Sequence, residues 1–421
     1  MIRFVLTDLR RLWAGAFFVV LLVALATALG VAVTLQERAL RLGSARAADR
    51  FDLVIGAAGS ETQLILSSIF LQPSALPLAP GHLLADLAAD PRVAWAAPVG
   101  FGDSSFGLPI VGTTSPLIAS SGPLAAGRHF SAIDEAVVGA AVPLPIGAKV
   151  KPMHGQAGEG GHVHDEIVYD VVGRMIETGT PWDRAILVPI EAVWRVHGMA
   201  GEEEEHDHRK EERAPQPGAA QTEVHFGDGR GPPTRLGGPW DKATPGIPAI
   251  IVKPKTIADA YRLRGEYRTA TTLAVFPGEV LTRLYGTLGD ARLVLGAVAT
   301  GAQILVAAAI ALVTLVHVGQ RRRQIGALRA FGAPRLAVFG IVWLEIFALV
   351  GGGVLAGFGL GYGVARVLSS LFTTANGIRL PVTFEPGDTA SALALLGFAA
   401  LLAALPAILA YRQSPAAALR S

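Results

Sequence analysis

RRRQIGALRAFGA, residues 321–333, separates two long apolar runs, and with Arg335 it gathers five arginines without an acidic residue among them. A short basic loop between two membrane-crossing helices belongs on the cytoplasmic side, where lysine and arginine accumulate. Within it Ile325, Leu328 and Phe331 recur every three residues, which puts them on one side of a short helix, while Arg321, Arg322, Arg323 and Arg329 supply charge. A helix of this kind held at the membrane edge predicts a docking surface for a cytoplasmic protein.

Outward from the loop, the flanking runs are Leu293–Gly319 and Leu336–Ala365, and two more lie at Trp13–Leu35 and Thr389–Ala410. The run Trp13–Leu35 carries no charge and as a helix extends roughly 34 Å at about 1.5 Å per residue, enough to cross a hydrocarbon core of about 30 Å. A cleavable signal peptide is the competing reading of this run, and its length argues against it. The chain is thus expected to be an α-helical membrane protein with four transmembrane helices, at 13–35, 293–319, 336–365 and 389–410. A large extracytoplasmic α+β domain, 36–292, is inserted between the first and second spans. An interfacial helix at 1–12, the loop at 320–335 and the tail at 411–421 carry arginine and face the cytoplasm, while 366–388 forms an outer loop. The expected location is the inner (plasma) membrane with both termini inside.

Composition agrees. Of 421 residues 51% are hydrophobic and 17% charged, and the mean hydropathy is +0.44, which is a membrane composition. The net charge is only +2 and the arginines follow the membrane edges, so there is no nucleic-acid footprint. Without cysteine the chain has no disulfide framework and no thiolate metal site.

The run RRRQIGALRAFGAPRLAVFGIVWLEIFALVGGGVLAGFGLG, residues 321–361, resembles the signature segment of FtsX/MacB-type permeases, the four-span ABC transporter subunits that include the lipoprotein-releasing permeases. The family pattern, an arginine cluster followed by E-I-G-x-L-R-A-x-G-A and a span with a glutamate and a glycine series, is met at Ile325, Gly326, Leu328, Arg329, Ala330, Gly332, Ala333 and Glu345. Gln324 stands where the family most often has glutamate. The closing SPAAALR and the phrases FDLVIGAAGS, DPRVAWAAPV and YDVVGRMIETGTPWDRAILVP resemble the same permeases. The resemblance implies that residues 321–332 couple to a cytoplasmic ABC ATPase subunit, and that a second copy or a homologous permease completes the complex. It also implies that ATP is bound by the partner and no cofactor by this chain. The sequence itself contains no G-x-x-x-x-G-K-[ST], so a separate subunit would have to cradle the nucleotide.

Inside the third span, Gly353, Gly357 and Gly361 make consecutive G-x-x-x-G steps, where another helix backbone can approach closely, either within the chain or in a dimer. Glu345 lies in the same span, where a carboxylate is costly unless paired or hydrated, with His317 or the loop arginines as partners.

In the outer domain AVVGAAVPL, EIVYDVVGRM, RAILVPI and PAIIVKP read as strands, and GHLLADLAAD and KTIADAYRLRGEY as helices. Ser60 reads as a helix N-cap, not as a nucleophile. Leu281, Leu284, Leu288, Ala291, Leu295 and Val298 keep coiled-coil spacing after Pro277, so a helix here is expected to pair with the continuation of the first span, Gln36–Arg50, as a stalk. Such a stalk either transmits a cytoplasmic movement outward or only holds the domain. Residues 197–243 turn polar and lose all period, reading as a disordered His/Glu-rich insertion. Two H-x-H pairs, His162 with His164 and His206 with His208, stand among carboxylates and make zinc the candidate ion; a solvated linker is the other reading.

Three functions remain in competition. The first is a non-catalytic permease subunit that converts ATP hydrolysis by its partner into movement of the outer domain, for export, lipoprotein or lipid extraction, or metal-linked transport. The second is a signalling subunit regulating an extracytoplasmic hydrolase. The third is a metal-binding or sensing membrane protein. Membrane lipids and an extracytoplasmic protein are the remaining expected partners.

Overall fold

The structure, a computed structural model, describes residues 7, 10, 11, 13–72, 74–154, 162–163, 167–199, 236–286, scattered helical positions between 293 and 308, and 333–412. The chain divides into two compact units, one of residues 1–44, 283–375 and 379–421, the other of residues 45–282 and 376–378.

In the first unit, helix α1 spans Trp13–Ala48, and the chain's last two long helices span Arg335–Asn376 and Pro386–Arg412. Among the described residues these three helices are long and apolar enough to cross a membrane. The expected span 293–319 and the loop 321–332 lie almost entirely outside the described residues. The Arg335–Asn376 helix begins as the chain leaves Pro334, whose carbonyl accepts from Ala337 N at 2.9 Å. It runs eleven residues beyond the apolar stretch that ended at Ala365, so part of the expected outer loop is helix. The extension is amphipathic: Ser369 is buried and donates to the Leu380 carbonyl at 2.5 Å, whereas Leu371 is exposed. Along the same helix Val338, Val342, Ile346, Val350 and Val354 recur at about one helical turn and pack with Val23, Ala399, Ala403 and Ala407.

The second unit is built on a twelve-stranded sheet. Its strands are β1 Leu53–Ala57, β2 Val93–Ser105, β3 Leu108–Thr113, β4 Leu124–Gly127, β5 Glu135–Val138 and β6 Lys149–Val150, then β7 Met153–His154, β8 His162–Val163, β9 Tyr169–Met175, β10 Ile186–Pro189, β11 Ala249–Pro254 and β12 Thr272–Val275. The path runs β12-β1-β11-β2-β3-β10-β5-β9-β4, with β6 paired to β9 and β7 linking β2 to β8. Three of the runs expected to be strands contain β9, β10 and β11, whereas of AVVGAAVPL only Ala136–Val138 is strand, in β5.

Strand β2 joins the two halves of the sheet. Its first part pairs with β11 and its second with β3, and the register shifts between Phe101 and Ser104, a bulge that re-aims the strand. The helices described in this unit are α2 Glu61–Ser68, α3 His82–Ala89, α4 Ser115–Ser120, α5 Ile190–Val196 and α6 Ile257–Glu266; α3 and α4 pack on β2, α5 on β2, β3 and β10, and α6 on β11 and β12. Ser60 caps α2 by accepting from Gln63 N at 3.3 Å, and Thr256 caps α6 by accepting from Asp259 N at 3.1 Å. The core joins Leu53, Ile55, Leu84, Leu87, Ile110, Tyr169, Ile186 and Ile250.

The polar insertion is narrower than its composition suggests. Trp240 packs edge-on against Trp194 with centroids 5.8 Å apart, and Met199 joins the margin of the core. The backbone N–H of Gly237 donates to Glu191 at 2.7 Å. Residues 197–199 and 236–243, expected in a disordered tract, therefore belong to the folded unit. Tryptophan burial there outweighs the Gly/Pro-rich surroundings that hide it from a compositional reading.

Candidate functional site

The membrane unit is organised by close helix approach. A Cβ added to Gly353 would lie 2.6 Å from the Val23 Cβ, one on Gly357 would lie 2.6 Å from the Ala24 carbonyl oxygen, and one on Gly361 would lie 2.7 Å from the Ala28 carbonyl oxygen. All three glycines therefore meet α1 of the same chain. Gly352, Gly359 and Gly363 on the same helix meet nothing within 4 Å. Glycine spaced every fourth residue forms a groove, and Ala24 and Ala28 of α1 supply the small partners that fit it. Trp343 donates from Nε1 to the Ala400 carbonyl at 2.9 Å and stacks on Phe347, which fixes the last two long helices to each other.

Farther along α1, Arg38 pairs with Asp388 in the first turn of the last helix, and Asp388 also accepts from Glu385 N at 2.8 Å. A helical segment at 277–286 carries Tyr285, whose hydroxyl donates to the Leu40 carbonyl at 3.3 Å. That contact brings together the two segments that coiled-coil spacing assigns to the stalk. Glu345 is half-buried beside Ile346 of the helix core. Arg321, Arg322, Arg323, Gln324, Ile325, Gly326, Leu328, Arg329, Phe331 and Gly332 lie outside the described residues, as does His317.

Of the four histidines selected from sequence, only His162 falls in the described fold, in β8; His164, His206 and His208 lie outside the described residues. Among the described residues, no three His, Cys, Asp or Glu side chains are grouped to hold a metal ion. A different polar centre emerges around β2. The Asp103 side chain is 2% exposed, and its Oδ1 lies 3.8 Å from Nε2 of His197, the residue that closes α5. Tyr169 is fully buried and its hydroxyl has no hydrogen-bond partner among the described residues. Burial, with the negative charge of Asp103 adding, pushes this phenol well above its ordinary pKa.

Sequence reasoning missed Asp103 and His197, because the link between them is tertiary. Helix α5 settles on the sheet where Gly100 and Gly112 stand directly opposite each other. A Cβ on Gly100 would lie 2.6 Å from Ile190 Cδ1, and one on Gly112 would lie 2.5 Å from Val193 Cγ2. The two glycines let the helix come down, and its end then delivers His197 to Asp103.

Residues 296–416 match the family described as FtsX-like permease C-terminal. Among solved structures the chain is similar to the crystal structure of the periplasmic region of MacB from Actinobacillus actinomycetemcomitans, at 10% identity and a TM-score of 0.31, over 57% of this chain and 95% of that one. No curated protein sequence matches the chain.

Proposed function

We propose that this chain, an FtsX/MacB-type permease by its residues 296–416, is the transmembrane subunit of an ABC transporter, with ATP hydrolysis on a separate cytoplasmic subunit driving movement of its α+β domain. In this reading it has four spans and both termini in the cytoplasm, and it works as a pair with a second copy or a homologous permease in the inner membrane. The α+β domain lies outside and acts in export or in extraction of a lipid or lipoprotein. The observation that carries the reading is the family match, because it covers both the basic loop 321–332 and the glycine-bearing helix Arg335–Asn376. An arginine-rich amphipathic segment joined directly to a long helix suits transmission of a push at the membrane edge. The tie between Tyr285 and Leu40 supports a stalk that moves as one piece.

Docking is tested by Arg329→Glu, which reverses a charge in the loop, and by Gly326→Leu, which crowds its surface. Each should weaken association with the ATPase about tenfold, the equivalent of ~1.4 kcal/mol, and lower stimulated ATP turnover. Full turnover in both variants would reduce the loop to a topology signal. Reporter fusions after Ser44 and Asn376 should read outside and after Pro334 inside; an outside signal at Pro334 would end the scheme.

A further inference from the structure

The turn that leads into β10 is held from within. Asp183 is buried, and its carboxylate accepts from Thr178 N at 2.8 Å, Thr178 Oγ1 at 2.7 Å and Gly179 N at 2.7 Å, which satisfies a charge that burial alone would penalise. Trp182 is buried beside it; its Nε1 donates to the Ile69 carbonyl at 3.1 Å, and its ring lies against Phe51 with centroids 5.9 Å apart. From the β5 side, Ala141 N donates to the Asp183 carbonyl at 2.8 Å, and a Cβ on Gly139 would lie 2.3 Å from the Trp182 carbonyl oxygen. The short 3₁₀ segment Pro181–Arg184 is therefore fixed by contacts with three distant stretches of the chain.

Connecting segments ordinarily run over the surface, yet Thr180, Pro181, Trp182 and Asp183 are all buried. Part of their cover comes from far along the chain. A Cβ on Gly377 would lie 3.1 Å from the Thr180 carbonyl oxygen, 3.2 Å from Pro181 Cα and 3.3 Å from Arg184 Cγ. Gly377 directly follows the helix Arg335–Asn376 and has a φ of +74°, the left-handed conformation in which glycine ends a helix. Such a cap needs no outside partner, but this one fits against the turn, and Ile378 after it is buried as well. By their contacts Asn376, Gly377 and Ile378 belong to the second unit, although the residues on either side of them belong to the first.

We propose that Asn376–Ile378 is a latch seated on the Thr178–Arg184 turn, a hold on the α+β unit additional to its chain connections at 44–45 and 282–283. The two parts differ in what holds them. Asp183 and Trp182 anchor the turn inside the unit, so it keeps its shape, whereas the seated piece is three residues long and no regular hydrogen-bond ladder ties it to the sheet. A short segment of this kind opens locally without unfolding the core around it. The latch releases when the α+β unit moves, and this part of the proposal rests on the proposed function; the seat itself does not.

The chain has no cysteine of its own, so introduced cysteines report without background in the full-length protein. In the pair Arg184→Cys/Gly377→Cys, the sulfur at 184 takes the place of Arg184 Cγ, 3.3 Å from the Cβ at 377. A disulfide sets that distance at about 3 Å, so the pair should close under mild oxidation. Ile378→Cys leaves Gly377 in place, and it should react with a soluble maleimide at least about tenfold more slowly than Phe384→Cys, at an exposed position of the same loop. Neither readout needs nucleotide. With the ATPase subunit present, closing the pair should lower ATP turnover about tenfold and dithiothreitol should restore it, as expected where an opening step limits the cycle. The proposal is overturned if the pair stays reduced, or if Ile378→Cys reacts as fast as Phe384→Cys. Equal turnover of the oxidised and reduced pair would overturn the latch as a moving part. No turnover in either state, with the pair closed and Ile378→Cys protected, would support the seat and count against the proposed function instead.

Discussion

Arg38 grips Asp388 with both prongs of its guanidinium, Nη1 to Oδ2 at 2.8 Å and Nη2 to Oδ1 at 2.9 Å, and so ties the first long helix to the start of the last one across 350 residues of sequence. The two side chains are 15% and 12% exposed, and Glu385 adds a second carboxylate at 3.7 Å. A bidentate pair with this degree of burial holds an orientation as well as a distance.

Removal of one partner should therefore cost more than a surface ion pair would. Asp388→Ala is expected to lower stability by about 2 kcal/mol in detergent, the range of a hydrogen-bonded charge. A double-mutant cycle with Arg38→Ala should give a coupling of about 1 kcal/mol or more by thermal unfolding. A coupling near zero would mean that the two helices are held without the pair.

The glycine groove makes a positional prediction. Gly357→Ala places a methyl group 2.6 Å from a backbone oxygen of α1 and should destabilise by about 2 kcal/mol, as overpacking does. Gly359→Ala, with nothing within 4 Å, should be neutral or gain up to about 1 kcal/mol of helix propensity. Equal effects at the two positions would show that α1 does not pack on the groove.

Glu191 links pH to the base of the polar insertion. Burial raises its pKa, and the hydrogen bond from Gly237 N opposes that shift only in part. Because the folded-state value lies above the unfolded one, the stability tied to this group is complete below the ordinary carboxylate pKa and is lost as pH rises through the raised value. Glu191→Gln keeps an acceptor for Gly237 and removes the charge. Its Tm at about pH 7 should exceed that of the wild type by about 2–4 °C, and the difference should disappear near about pH 4. Scanning calorimetry at the two pH values decides this.

For Glu345 the expected change is in function. Glu345→Gln preserves shape in a half-buried place on the Arg335–Asn376 helix and should leave membrane insertion unchanged while reducing ATP turnover coupled to substrate. Unaltered turnover would remove Glu345 from the coupling path.

Much of the protein is legible in its chain because the relevant signals are local. Long apolar runs mark α1 and the last two helices, β-branched runs bounded by glycine and proline mark β5, β9, β10 and β11, and the arginine loop carries its own family pattern. Ser60 was recognisable as a cap because capping needs only the next three residues. The G-x-x-x-G series was equally visible, but periodicity says only that a backbone can come close, not whose backbone it is.

Tertiary structure decided the pairings. It set Gly353, Gly357 and Gly361 against α1, joined Arg38 to Asp388, and folded Trp240 from the edge of the polar tract onto Trp194. It also brought His197 to Asp103 through one glycine-permitted helix approach. The sequence determines which residues can lie in a helix, a strand or a membrane, because those preferences belong to neighbouring residues and to hydrophobic period. Which distant side chains meet depends on register and on packing between elements, and a shift of one residue in β2 would send Asp103 to the opposite face of the sheet, away from His197.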